Sequence, residues 1–193
     1  MPSPSATSDP TWQALYEIAA TQEGHFTTQQ ASAAGYSRPL LDHHQKAGRI
    51  IRIRRGIYRL VHFPPGEHEE LVIAWLWTEF KGVISHQTAL TLVGLSDLLP
   101  TEIHITLPLS WFRRRFRVPA GFVPHYADVP NAERTWVGAV PTTSVRLTLN
   151  DCAVAGLSPD LLRQAAQQAL GRGLVTQSEL KEVETALKPF GGI

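Results

Sequence analysis

A single cysteine, Cys152, stands in 193 residues. One thiol makes neither a disulfide framework nor a thiolate zinc site, which excludes a stapled secreted scaffold and favours a reducing compartment. Cys152 itself reads as a small buried hydrophobe. Long apolar runs are missing as well: nothing approaches the ~20 consecutive apolar residues that span a bilayer, so no membrane partner is expected. The opening MPSPSATSDP has neither a basic start nor an apolar core. Residues 1–9 therefore read as a flexible polar leader rather than a signal peptide, and the expected location is the cytoplasm. A phosphate-binding glycine loop is absent. His25, His43, His44, His62, His68, His86, His104 and His125 are spread without metal-ligand spacing, so neither a metal nor a cofactor is expected. There is no excess of either charge, since 18 Lys and Arg against 17 Asp and Glu leave +1.

What the total hides, the distribution shows. Between residues 37 and 60 the bases are Arg38, Lys46, Arg49, Arg52, Arg54, Arg55 and Arg59, against the one acid Asp42. The following segment carries Glu67, Glu69, Glu70 and Glu79. A basic patch within a near-neutral chain suits a polyanion, with a merely solvated charged face as the competing reading.

The local patterns give that patch a shape. Asp9 and Pro10 predict a helix start, and Trp12, Leu15, Tyr16, Ile18 and Ala19 recur at helical spacing until Gly24. Thr27 and Gln30 form a capping-box pattern ahead of Ala31, Ala33 and Ala34, and Gly35 supplies a left-handed stop. Ser37 then caps a third helix. At 100° steps Leu40, Leu41, His44, Ala47 and Gly48 share its inner side, whereas Arg38, Asp42, Lys46 and Arg49, flanked by His43 and Gln45, share the outer. A helix of this kind reads base edges from its N-terminal residues, and Arg38 can donate bidentately to guanine. Lys46 and Arg49 suit phosphates, and His44 reads as a satisfied core histidine. Next, Ile51, Arg52, Ile53 and Arg54 alternate as a strand with one apolar and one basic face, turned at Arg55-Gly56 into Ile57, Tyr58 and Leu60. This is a winged helix-turn-helix, with double-stranded DNA as its expected partner. The expected contacts are Ser37, Arg38, Asp42, His43, Lys46, Arg49, Arg52, Arg54 and Arg55.

The expected fold class is α+β: a winged helix-turn-helix over 10–62, then a mixed α/β domain over 67–193 with a small, mostly antiparallel sheet. Pro64, Pro65 and Gly66 form the linker between them. Helices are predicted over 67–80, 85–94, 144–155, 159–170 and 177–187, and strands over 102–107, 117–126 and 134–140. A second basic run, Arg113, Arg114, Arg115 and Arg117 among Trp111, Phe112 and Phe116, fits nucleic acid or an acidic partner; equally it fits an edge strand guarded by charge. Catalysis is not expected. Glu79-Phe80-Lys81 matches half of a nuclease metal motif without its acidic partner, and adjacent Ser85 and His86 do not face each other on a helix, where Ser85 reads as an N-cap.

The stretch ISHQTALTLVGLSDLLPTEIHITLP at 84–108, after a winged helix and before VPTTSVRLTLNDCA at 140–153, resembles the AbiEi-type antitoxins of type IV toxin–antitoxin systems. RGLVTQSEL near the C-terminus fits the same pattern. The resemblance implies a non-enzymatic regulator that represses its own operon at promoter inverted repeats and counters a cognate nucleotidyltransferase-like toxin. A winged-helix regulator with a ligand- or protein-binding second domain and no toxin partner is the alternative.

Overall fold

The structure, a computed structural model, describes residues 11–96 and 101–193. The chain divides into two compact units, the first ending at Trp77 and the second running from Thr78 to Ile193. The linker at 63–66 is therefore not the boundary. The helix that follows it, expected to open the second domain, packs with the first unit.

In the first unit α1 (Trp12–Ala20) starts behind Thr11, whose hydroxyl accepts from the Ala14 N–H. The cap expected at Asp9 with Pro10 lies outside the described residues. Strand β1 (His25–Thr27) has only three residues, too few for alternation to register in the sequence. Its last residue is also the cap of α2 (Thr28–Ala33), and the expected capping box of Thr27 with Gln30 is present. Helix α3 (Arg38–Lys46) begins behind Ser37, whose Oγ accepts from the Leu40 N–H. Strands β2 (Ile50–Arg54) and β3 (Ile57–Leu60) complete an antiparallel sheet in the order β1-β3-β2. Phe26, Ile50, Tyr58 and Leu60 share the sheet face that packs on Leu15, Ala31 and Leu41 of the three helices. Phe26 is fully buried and stacks on Tyr58 with ring centroids 5.8 Å apart.

The opposite face of that sheet explains where α4 (Glu69–Trp77) goes. His25 and Arg59 are cross-strand partners there, and Arg59 donates to Glu69 at 2.8 and 3.2 Å and to the carbonyls of Leu60 and Phe63. Covered on both faces, the sheet buries His25 completely. The helix stops at Trp77 rather than residue 80 because Glu79 and Phe80 turn left-handed, with φ of +54° and +64°.

The second unit carries β4 (Val83–Ile84), β5 (Ile103–Leu107), β6 (Phe122–Tyr126), β7 (Arg134–Val137) and β8 (Val140–Thr143) in the order β6-β5-β4-β8-β7. The mixed α/β class stands. Within it, pairs β4–β5 and β7–β8 are antiparallel, but β5–β6 and β4–β8 are parallel. A period-two pattern reads the same for either direction, and only the length of the crossover distinguishes them. Residues 108–121 are such a crossover, so β6 starts five residues later than the strand expected from 117. Helices α5 (His86–Leu92), α6 (Val145–Val154), α7 (Pro159–Gly171) and α8 (Lys181–Leu187) bury Leu90, Leu149, Leu162, Ala166 and Val183 together. Cys152 lies in this core as expected, its thiol pushed up to about 12 by burial and by nearby Asp151.

Candidate nucleic-acid interface

The first unit holds the outer side of α3 and the β2–β3 hairpin in one framework. The α2 start grips the hairpin turn: the Thr28 N–H donates to the Gly56 carbonyl at 2.9 Å, and the Thr28 hydroxyl does so at 3.3 Å. Gly56 has φ +78°, a turn conformation that L side chains resist. At the other end, the Arg49 N–H donates to His44 and its carbonyl accepts from Val61. Arg49 is thus pinned between the last turn of α3 and the far end of the hairpin.

Of the nine residues expected to contact DNA, Ser37, Arg38, Asp42, His43, Lys46, Arg49, Arg52 and Arg55 are exposed, and Arg54 is half-buried. On α3 the expected inner residues Leu41 and His44 are buried, whereas Ala47 and Gly48 are exposed because the helix ends at Lys46. His44 lies between Trp12 and Tyr36, with centroids 5.4 and 5.6 Å away, and burial lowers its pKa. Its Nδ1 has no hydrogen-bond partner among the described residues, so it is a packed histidine rather than a satisfied one.

The hairpin differs from the expected alternation. Ile51 is 44% exposed, so the apolar stripe of β2 does not face the core. Arg52 is opposite Tyr58 and on the face of Ile50, which is the side of the sheet bearing α1, α2 and α3. The register shifts between Arg52 and Arg54. Arg52 therefore leaves the core face where that face runs out, on the same side as α3. Arg59, counted with the basic patch in sequence, is instead enclosed by Glu69 and two carbonyls.

In the second unit Arg113, Arg114, Arg115 and Arg117 are all exposed on the crossover, which is a loop and not an edge strand. Arg114 pairs with Glu79 at 3.0 Å and lies 4.2 Å from the centre of the Trp111 ring.

The same unit assembles a histidine cleft that the sequence did not announce. The His86 and His125 rings stack 3.5 Å apart at 14°, with His104 5.2 Å from His125 at 17°. His104 Nδ1 and His125 Nε2 are 3.0 Å apart. Ser85 heads α5 but makes no capping bond with its hydroxyl. Its Oγ accepts from Thr106 at 2.8 Å and contacts His86 Nδ1 at 2.9 Å. Adjacent side chains meet here because His86 has φ +53°, off the helical path that would separate them. Ser85 thus occupies Nδ1 of the His86 ring and leaves Nε2 as that ring's other polar atom. Burial first, then the neighbouring imidazoles, lower His86 to about 3; burial and then His104 lower His125 to about 4. His86, His125 and Phe112 line a cleft of about 550 Å³ that also reaches Asp151. Burial, helped by Glu133, raises the Asp151 carboxyl to about 6. Among the described residues no group of His, Cys, Asp or Glu is arranged to hold a metal ion. No helix among them is long and apolar enough to cross a membrane.

Residues 13–61 match the family model described as transcriptional regulator, AbiEi antitoxin. The match runs from α1 to the end of the hairpin, so the resemblance read from the sequence holds over the winged helix-turn-helix. No curated protein sequence matches the chain. Among solved structures, the RV2827C protein from Mycobacterium tuberculosis is similar at 15% identity and a TM-score of 0.47, over 92% of this chain and 76% of that one.

Proposed function

We propose that the chain is a DNA-binding antitoxin that represses its own toxin–antitoxin operon and counters a cognate nucleotidyltransferase-like toxin. Arg38 reads a base edge from the first turn of α3, with Ser37, Asp42 and His43 beside it. Lys46, Arg49, Arg52, Arg54 and Arg55 hold phosphates on either side. One observation carries the reading: the family match at 13–61 coincides with a compact unit whose exposed cations lie on α3 and the hairpin. Phosphate contacts supply affinity and base contacts supply choice, so the two groups should separate on mutation.

The test is binding to the DNA upstream of the gene, measured across salt concentrations. Arg38→Ala should cost about 1–3 kcal/mol on the specific site and leave random DNA unaffected. Arg52→Ala with Arg55→Ala should weaken binding to any duplex and flatten the log–log salt slope by roughly 2. Unchanged binding in both would remove α3 and the hairpin from the interface. Co-expression with the neighbouring gene product, scored by growth rescue, tests the toxin half of the proposal. A regulator without a toxin partner, whose second unit binds a ligand, is favoured by the histidine cleft; it predicts no rescue.

A further inference from the structure

We propose that the histidine cleft of the second unit is a mononucleotide site, taking the base between aromatic walls and leaving the phosphate to the arginines of the 113–117 loop. Its volume, about 550 Å³, falls in the range of small-ligand sites. The walls combine His86, His125, Tyr126 and Phe112. Phe112 meets Tyr126 edge to face at 5.4 Å yet is 68% exposed, an aromatic face that a planar ligand would cover.

The polar groups narrow the ligand further. His86 Nε2 is the ring nitrogen left for a ligand after Ser85 engages Nδ1. The Asp151 carboxylate has neither a hydrogen bond nor an ion pair among the described residues, so it offers acceptors to ring or amino N–H groups. An imidazole nitrogen and a carboxylate in one aromatic slot match the hydrogen-bonding edge of a nucleobase. The same carboxylate repels a phosphate, and the stacked histidines, kept neutral by burial, do not compensate for it. An anion therefore belongs outside the slot. Arg113, Arg115 and Arg117 are exposed on the loop that follows Phe112, while Arg114 is engaged by Glu79 and Trp111. A ligand with an uncharged, N–H-bearing ring and an anionic tail is a nucleotide. Backbone strain supports a functional use: His86 holds a left-handed φ of +53° as the first residue of α5, in the wall of the cleft.

The experiment titrates the full chain with GMP, AMP, CMP and UMP by calorimetry, with ribose 5-phosphate and inorganic phosphate as controls. At least one nucleotide should bind about tenfold or more tightly than ribose 5-phosphate, the usual worth of one stacked base. Phe112→Ala, at an exposed position, should remove most of that advantage. Asp151→Asn should reorder the preference among the four bases, an effect that a general loss of packing does not produce. Arg113→Ala with Arg115→Ala should weaken nucleotide and ribose 5-phosphate alike. Arg38→Ala should leave mononucleotide binding unchanged, which separates this site from the proposed DNA surface. Nucleotides binding no better than inorganic phosphate, or equally well to the Phe112 and Asp151 variants, would overturn the assignment.

Discussion

The cationic surface of the first unit draws its residues from neighbours in the chain, Arg38 to Arg55 on one helix and one hairpin, and keeps them in water. The histidine cleft of the second unit collects His86, Thr106, His125 and Asp151 from four separate elements and buries them wholly or in half. The first arrangement works through fixed charge, the second through imidazoles whose charge burial suppresses and a carboxyl whose ionisation burial delays to about 6. Salt is therefore the variable that probes one, and pH the variable that probes the other.

The largest expected effect concerns pH. Burial lowers His25, His44, His86, His104 and His125 in the fold, whereas the unfolded chain protonates them near 6.5. Below 6.5 the unfolded state binds protons that the native state refuses, so stability falls as pH drops. The loss continues until the folded values are reached, about 4 for His125 and about 3 for His86. Asp151 acts in the opposite sense: raised to about 6, it binds its proton in the fold before the unfolded chain does, and stabilises as pH falls below that value. Five histidines outweigh one carboxyl, and the net result is a steep loss between pH 6.5 and 4. Denaturant midpoints across that window measure it. His125→Phe should keep the stack and flatten the curve; an unchanged curve would mean the cleft is wetter than its geometry states.

These contrasts also set what was legible in the sequence. Thr27 with Gln30, Ser37 and the Arg55-Gly56 turn act within four residues of chain, so spacing alone identified them. The cleft is different. His86, His104 and His125 come together because β5 and β6 pair in parallel across the 108–121 crossover, a register no local pattern encodes. The one local signal, a serine and a histidine adjacent at 85 and 86, implies no contact on a regular helix, a geometry that the left-handed His86 does not obey. Arg59 shows the converse error. It reads as one more cation of the patch, and only the packing of α4 reveals that Glu69 holds it inside the unit.

A smaller effect compares two serines that each begin a helix. Ser37→Ala removes a cap at the surface and should cost about 0.5–2 kcal/mol. Ser85 is fully buried, and Ser85→Ala leaves both Thr106 Oγ1 and His86 Nδ1 without their partner. Each stranded group costs about 1–3 kcal/mol, so the second substitution should shift the urea midpoint more. Equal shifts would indicate that a water molecule replaces the lost hydroxyl.

The smallest effect is at Glu79, the acid of the Glu79-Phe80-Lys81 tripeptide. Its carboxylate pairs with Arg114 across an exposed surface, where such pairs contribute about 0–1 kcal/mol. Glu79→Ala should lie within that range, because Arg114 keeps its position over Trp111. The backbone adds a second handle. At φ +54° any L side chain is strained by about 1–2 kcal/mol, so Glu79→Gly loses the same ion pair yet relieves the turn that ends α4. Glycine should thus match or exceed alanine in stability, the reverse of their order within a helix. If Glu79→Ala instead abolished a Mg²⁺-dependent cleavage of DNA by the protein, Glu79 would be a reacting group. The second unit would then act on DNA by chemistry, and the contrast between charged surface and binding cleft would fail.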